Sequence, residues 1–451
     1  MKIPMTPPDW TTGFSSLVGK GAIALPMLSA QGPEDEKGRY VHWDKLRFLH
    51  QPDGMTKEEW WAAMKLARLK LMVPLSFTAN NGAPVNYCSP PSVQECLHWV
   101  DVHAAGSIKA DKQITNSSTK STYLIKSLVE EAISSSQLEG ASTTRHVAKE
   151  MIRQGRAPKD ISERMIYNNY QAMQFIREIK SESLTKDIVF EIHKILTRGT
   201  LDDPAHSGAF RKQSDSVKVV DAFNEVLHVP PPALELEMRM QNLCDFANGE
   251  GSDSKTFIHP VVRAILLHFM LAYDHPFVDG NGRTARALFY WSMARQGYWL
   301  VEYISISRII KSAPVKYGRA FLYTETDDLD ATYFIVHQLG VIKRAIVELQ
   351  DYLHGKMQGI EYAEKMLHKN SKLRGELNFR QLALLKHALK HPRFIYRINE
   401  HQQSHGIAYE TARKDLMHMA DDLGLLHKVK DGKIFMFISP TDLEERLSRK
   451  K

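Results

Sequence analysis

His275-Pro276-Phe277-Val278-Asp279-Gly280-Asn281-Gly282-Arg283-Thr284-Ala285-Arg286 is the stretch on which the reading of this chain turns. Apolar positions at helical spacing flank it on both sides, Pro260 to Tyr273 before it and Arg283 to Gln296 after it, so the turn residues Asp279 to Gly282 open a second helix. Free backbone N–H groups at a helix start, with the positive dipole end and glycines that admit close approach, form an anion cradle suited to phosphate. Arg283 and Arg286 stand on the first turn and bring guanidinium forks that match phosphate oxygens. Asp279 beside the cradle is a candidate ligand for Mg²⁺ bridging phosphates. His275 is the nearby side chain whose ordinary pKa suits proton abstraction near neutrality. On residue types alone, a Gly-rich turn between two core helices remains the alternative. No G-x-x-x-x-G-K-[ST] is present, so a Walker-type nucleotide site is not supported.

The segment resembles the signature of the Fic family, H-x-F-x-[DE]-G-N-G-R-x-x-R, and agrees at every fixed position. Upstream, Ser135-Ser136-Gln137-Leu138-Glu139-Gly140 is similar to the family's inhibitory motif [ST]-x-x-x-E-[GN], and a helical run with Leu124, Leu128, Ala132 and Ser135 on one face leads into it. The resemblance extends from about Leu124 through Leu349 and includes Phe257-Ile258-His259-Pro260 ahead of the signature.

This resemblance implies a mainly α protein whose all-helical Fic core carries a β-hairpin flap. It implies a protein adenylyltransferase that moves AMP from ATP to a Ser, Thr or Tyr hydroxyl of a target protein and restrains itself through Ser135, Glu139 and Gly140. In those terms His275 is the catalytic base, Asp279 holds Mg²⁺, Phe277 anchors the loop, and Gly280, Asn281, Gly282, Arg283, Thr284, Ala285 and Arg286 bind ATP. Arg283 and Arg286 would clamp its outer phosphates. The family often carries two adjacent aromatics downstream that hold the adenine; here Tyr317 is followed by Gly318, which leaves the nucleobase contacts open. Removal of AMP from targets, transfer of UMP or another phosphate-linked group, and a nucleotide-sensing DNA-binding regulator are the alternatives.

Outward from this core, Val217, Val219 and Val220, then Val226, Leu227 and Val229, flank Asp221 to Glu225 and read as a β-hairpin, the flap of the resemblance. Its edge could align a target strand by β-augmentation. The first 110 residues are rich in Pro, Trp and turn residues around a helix near Lys57 to Met72, and their chemistry is silent; Trp60-Trp61 reads as a packing anchor. With 451 residues, at roughly 150 per domain, two to four domains are expected. We take 1–110 as an N-terminal domain, 111–355 as the Fic domain with its inhibitory helix near 120–140, and 371–451 as a third domain, with 355–374 as an exposed helix or linker.

In that last segment two helical stripes, Leu382, Leu385, Leu389 and Ala412, Leu416, Met419, Leu423, precede a hairpin around Asp431-Gly432, which describes a winged helix. It holds 16 Lys and Arg against 10 Asp and Glu and so carries nearly all of the chain's net charge of +7. The helix Tyr409 to Leu423 with Arg413, Lys414 and His418, and a wing with Lys428, Lys430 and Lys433, offer DNA phosphates a face. Docking of a protein, including a second copy as a homodimer, competes with that reading.

Hydrophobic residues at 43% and charged residues at 25% place the chain among ordinary globular proteins. The densest apolar run, Ala264 to Tyr273, is about half of what a bilayer span needs, so no membrane partner is expected. Gly21 to Ala30 is broken by Pro26 and does not read as a secretory leader. Cys88, Cys96 and Cys244 lack C-x-x-C spacing, which argues against disulfides or zinc and for a cytoplasmic setting.

Overall fold

Helical spacing of apolar residues runs through most of the chain, and a mainly helical protein results. The computed structural model describes residues 1–105, 117–221, 223–251, 255–368, 376–431 and 434–448. Two compact units emerge, Met1–Ile108 with Ser127–Ile346, and Lys109–Lys126 with Val347–Lys451. Among the described residues no helix is long and apolar enough to cross a membrane.

The first unit opens with α1 (Trp10–Val18) and α2 (Lys57–Leu69), the latter started by a Thr56–Glu59 capping box. A hairpin follows, β1 (Val73–Thr78) and β2 (Pro84–Tyr87), then α3 (Pro91–Val100). Trp60 and Trp61 are buried in this part of the core, as packing anchors should be.

Residues 1–108 are not separate from the helical core. Arg68 donates to the Tyr333 hydroxyl at 2.7 Å and Tyr40 to Asp330 at 2.5 Å, while Lys65 pairs with Asp327. The Asn86 backbone bonds Leu329 and Ala331 at 3.1 and 2.8 Å. Buried charges of both signs meet here, each with a partner, as burial of ions requires. The boundary drawn at residue 110 therefore does not mark off an independent core.

The core continues with α4 (Ser117–Leu138), of which the part from Ser127 on belongs to this unit, then α5 (Arg145–Gln154), α6 (Ile161–Glu178) and α7 (Lys186–Thr197). Next come the short hairpin β3 (Val219–Val220) and β4 (Val226–His228), then α8 (Leu236–Asn248). Asp221 shapes the hairpin turn by accepting from the Phe223 and Glu225 N–H groups at 2.8 and 3.1 Å, and Ala222 lies outside the described residues. The central pair is α9 (Pro260–Asp274) and α10 (Asn281–Arg295), buried along almost their whole lengths. After them run α11 (Ile306–Ser312), α12 (Pro314–Thr326) and α13 (Thr332–His368). α13 carries through residue 355, where a domain end and linker are expected from the sequence.

In the second unit, α14 (Phe379–Lys390), β5 (Ile395–Arg397), α15 (Ile398–His405) and α16 (Tyr409–Met417) lead to β6 (His427–Asp431), β7 (Ile434–Ile438) and α17 (Leu443–Ser448). The strands form one antiparallel sheet in the order β5-β7-β6. Leu382, Leu385, Ala412, Leu416, Met419 and Phe437 share its core. α16 ends at Met417 and gives way to a wider turn over His418–Asp422, so the regular helix is shorter than the expected Tyr409 to Leu423. Gly432 and Lys433, at the expected hairpin turn, lie outside the described residues.

Candidate active site

The site is built at the end of α9 and the start of α10. α9 stops because His275 adopts a left-handed backbone (φ 46°, ψ 55°), and α10 begins at Gly280, also left-handed at φ 86°. A side chain at Gly280 would press on Thr197 and His193 at 2.9 and 3.2 Å, so glycine is required there on two counts.

The last four carbonyls of a helix have no partner within it. In α9 all four are satisfied by groups that shape the site. Leu271 O accepts from the His275 N–H at 3.0 Å, and Ala272 O meets His275 Nδ1 at 3.1 Å. Tyr273 O meets His228 Nε2 at 2.7 Å, and Asp274 O accepts from Arg211 at 3.3 Å. A carbonyl can only accept, so His275 carries its proton on Nδ1 and leaves Nε2 as a lone pair. Burial lowers the His275 pKa below 6.5, and the charge on His228 acts in the same direction, so the imidazole is neutral near pH 7.

Two side chains that the sequence reading left unmarked hold the loop between the helices. Arg211 donates to His275 O at 2.7 Å and to Pro231 O at 2.5 Å, linking the turn between α9 and α10 to the exit of the β3–β4 hairpin. His193 stacks on Phe277 with ring centroids 3.7 Å apart, accepts from Gly208 N at 2.9 Å and donates to Asp279 O at 2.8 Å. Burial pushes its pKa down to about 4, which keeps it in the neutral form those two bonds need. Neither of the two lies in a contiguous motif, and no sequence signal marks them beyond their being polar residues among apolar ones.

Asn281 closes the loop by accepting from Phe277 N at 2.9 Å and donating to Phe277 O at 2.8 Å. Its side chain is a brace for the loop, and Phe277 is fully buried beneath it. Thr284 and Ala285 are also fully buried, with the Thr284 hydroxyl on Gly280 O at 2.9 Å. They carry α10 and do not line its open end. Gly280, the N-cap, supplies no side-chain cap, so the first N–H groups of α10 stay available to an anion.

The two arginines differ. Arg283 is buried, bonds Leu196 O at 3.2 Å and pairs with Asp279 at 2.8 Å, so its fork holds the loop in place of facing the cradle. Asp279 itself is half-exposed at the mouth. Arg286 donates to the Ser135 hydroxyl at 2.9 Å, to Ser135 O at 3.0 Å and to Glu139 Oε1 at 2.9 Å. Glu139 leans directly over Gly282, where a Cβ would come within 2.2 Å of Oε1. A carboxylate thus lies over the first turn of α10 while it holds the Arg286 guanidinium. Gly140 ends this segment with φ 94°.

α4 is pinned by Glu131, which is buried and accepts from the Tyr290 hydroxyl at 2.9 Å, the Ser305 hydroxyl at 2.7 Å, the Ser307 N–H at 3.1 Å and the Ser307 hydroxyl. The Tyr317 hydroxyl meets His268 Nε2 at 2.8 Å, and its pKa is pushed up to about 12 by burial, against the opposing effect of the Arg286 cation. Beside it, the Met1 side chain fills the space over Gly318, within 2.7 Å of where a Cβ would be.

Comparison with known proteins agrees with this geometry. Residues 183–293 match the Fic/DOC family. A segment of 119 residues is 38% identical to the protein adenylyltransferase Fic of Nematostella vectensis, covering 26% of this chain and 25% of that protein. The protein adenylyltransferase Fic of Drosophila willistoni is 39% identical over 119 residues, 26% of this chain and 21% of its own length. The chain therefore spans about a quarter of the length of these curated relatives. A solved Fic family protein from Desulfovibrio desulfuricans G20 shares the fold, with a TM-score of 0.51 and 18% identity over 77% of this chain and 96% of that one. Residues 183–293, built around the His275 to Arg286 loop, are thus a Fic/DOC family domain within the chain.

Proposed function

We propose that the protein transfers AMP from ATP to a Ser, Thr or Tyr hydroxyl of a target protein, and that Glu139 restrains the reaction. The observation that carries this reading is the Glu139 carboxylate over Gly282, paired with Arg286 at 2.9 Å. An anion already rests in the cradle and holds the arginine that a terminal phosphate would need.

Neutral His275, with its proton on Nδ1, takes the hydroxyl proton at Nε2. The N–H groups at Gly280 to Gly282 receive phosphate oxygens, and Arg286, once released by Glu139, meets the outer phosphates. Catalysis is positioning and electrostatic stabilisation, with pyrophosphate as leaving group. Arg283 contributes by fixing Asp279.

Among the described residues no cluster of three metal-binding side chains exists. Asp279, half-exposed with one carboxylate oxygen held by Arg283, would suit Mg²⁺, which commonly takes one or two carboxylates and completes its shell with phosphates and water. When bound with the nucleotide, that ion would neutralise phosphate charge.

The exposed Phe223 at the hairpin tip, with 84% of its surface accessible, and the open edge at Val220 favour the β3–β4 hairpin as the flap that aligns a target strand. The strand order β5-β7-β6 and the succession of helices before it support a winged helix in the second unit, and we assign it that fold with duplex DNA as ligand. Lys414 is exposed, whereas Lys428 is engaged by Asp421 at 2.5 Å and Asp415 by Arg380 at 2.6 Å. Incubating the chain and its Glu139→Gly variant with labelled ATP and cell lysate tests the assignment; loss of a pre-existing AMP mark would point to the removal reaction.

A further inference from the structure

His228 closes the return strand of the β3–β4 hairpin, is almost wholly buried, and has both ring nitrogens engaged. Nδ1 lies 2.7 Å from Glu325 Oε2 on α12, and Nε2 lies 2.7 Å from Tyr273 O on α9. Neither partner can donate a hydrogen bond in its ordinary state: one is a peptide carbonyl and the other a carboxylate. A neutral imidazole has one N–H and would leave a lone pair facing one of these acceptors. Two N–H groups satisfy both, so the ring is an imidazolium.

The surroundings agree. Tyr273 O is among the last carbonyls of α9, where the negative end of the helix dipole favours a cation. From α9, Asp274 adds negative charge, and burial pushes its own pKa up to about 6 even though Arg239 on α8 pairs with it at 3.1 Å. From the loop before the hairpin, Arg211 opposes a second cation, and His275 is neutral. Glu325 and the Tyr273 carbonyl outweigh the burial penalty, so the His228 pKa is raised above 6.5. The next residue, Val229, is held from the other side by Asn80 at the β1–β2 turn, at 2.9 Å. The hairpin exit is thus fastened from two directions.

We propose that His228 is a positioning residue: as the imidazolium it locks the flap's return strand to the helix end that presents His275, and so sets the distance between an aligned target hydroxyl and Nε2 of His275. This rests on the flap and transfer reading above. Because the folded pKa is raised, the latch is fully present below pH 6.5 and is lost as pH rises through the folded value. Above that value the Nδ1 lone pair faces the Glu325 carboxylate.

Two variants separate a latch from a merely structural contact. In Glu325→Gln the amide can donate to neutral Nδ1 while Nε2–H still donates to Tyr273 O, so the latch survives without charge. Self-modification with labelled ATP would be followed against pH in the Glu139→Gly background. The parent should lose about tenfold or more of its rate between neutrality and about pH 9, since small misplacement of reacting groups is costly. Adding Glu325→Gln should remove that fall, and adding His228→Gln should lower the rate near neutrality to the level the parent reaches at alkaline pH, leaving little further fall. An unaltered alkaline fall in the Glu325→Gln variant would overturn the proposal. Independently of any activity, ring carbon and proton shifts of full-length protein, assigned with His228→Gln, should show His228 titrating above the ordinary histidine range. Titration below that range would overturn the imidazolium even if AMP transfer is confirmed, and absence of AMP transfer with a raised His228 would refute the transfer reading alone.

Discussion

Glu139 Oε1 stands 2.9 Å from an Arg286 terminal nitrogen and would come within 2.2 Å of a Cβ placed on Gly282. One carboxylate therefore does two things: it neutralises the arginine and it covers the cradle at the start of α10. Under the proposed function both effects would oppose a nucleotide whose outer phosphates need the same arginine and the same N–H groups.

The cradle should not tolerate a methyl group. Gly282→Ala places a carbon where Glu139 Oε1 now lies and 3.0 Å from an Arg286 nitrogen. Glu139 can swing away, but the methyl remains in the phosphate hollow. ATP affinity measured by calorimetry should therefore fall both in Gly282→Ala and in Glu139→Gly/Gly282→Ala, whereas Glu139→Gly alone should bind ATP at least as well as the parent.

His275→Ala should reduce AMP transfer by roughly 10²- to 10⁴-fold, the range for a positioned acid-base group, with ATP binding retained. The neutral imidazole is the active form, and its pKa is lowered, so the acid limb of the rate profile should fall below pH 6.5. A rate profile whose acid limb lies above that value would contradict the assigned environment.

Release of the restraint should also follow from loosening α4. Glu131 takes four donors from Tyr290, Ser305 and Ser307, two turns before Glu139. Glu131→Ala leaves those buried donors unpaired and should cost about 2–4 kcal/mol in denaturant unfolding. It should also raise self-modification toward the Glu139→Gly level. A stability loss with no rise in activity would detach Glu131 from the restraint.

The winged-helix assignment predicts that the full chain shifts duplex DNA at low salt and releases it steeply as salt rises. Charge reversal at Lys428 and Lys430 should weaken binding and flatten the salt slope. Reversal of Lys428 also breaks its pair with Asp421. A full chain that shows no salt-dependent shift with pooled genomic duplexes would leave a protein-docking role for this unit.

The helical class, the α9–α10 turn and the Glu139 segment were legible in the sequence because each rests on local spacing or a contiguous motif. The start of α10 was placed two residues late, at Arg283, because Asn281 and Gly282 read as turn while Gly280 supplies the left-handed entry. Arg211, His193 and His228 were not legible, since each acts through carbonyls distant in sequence. The β1–β2 hairpin was missed although Asn81-Gly82 lies between Phe77 and Val85, because Pro74 and Pro84 obscured the strand pattern. The fusion of residues 1–108 with the core depends on Lys65, Arg68 and Asp327 meeting across the fold, which no linear pattern shows. The motif also makes its two arginines look equivalent; both are buried, and only their partners, Leu196 O and Asp279 for Arg283 against Ser135 and Glu139 for Arg286, tell them apart.

The most direct test of the account is the mass of the purified full-length protein after incubation with ATP and Mg²⁺, compared between the parent and Glu139→Gly. Opening the cradle and freeing Arg286 should give AMP mass increments on Glu139→Gly that are absent or scarce on the parent, and that disappear again in Glu139→Gly/His275→Ala. Equal or lower AMP incorporation in Glu139→Gly would contradict the restraint by Glu139, and AMP incorporation that survives the loss of His275 would contradict the assigned chemistry.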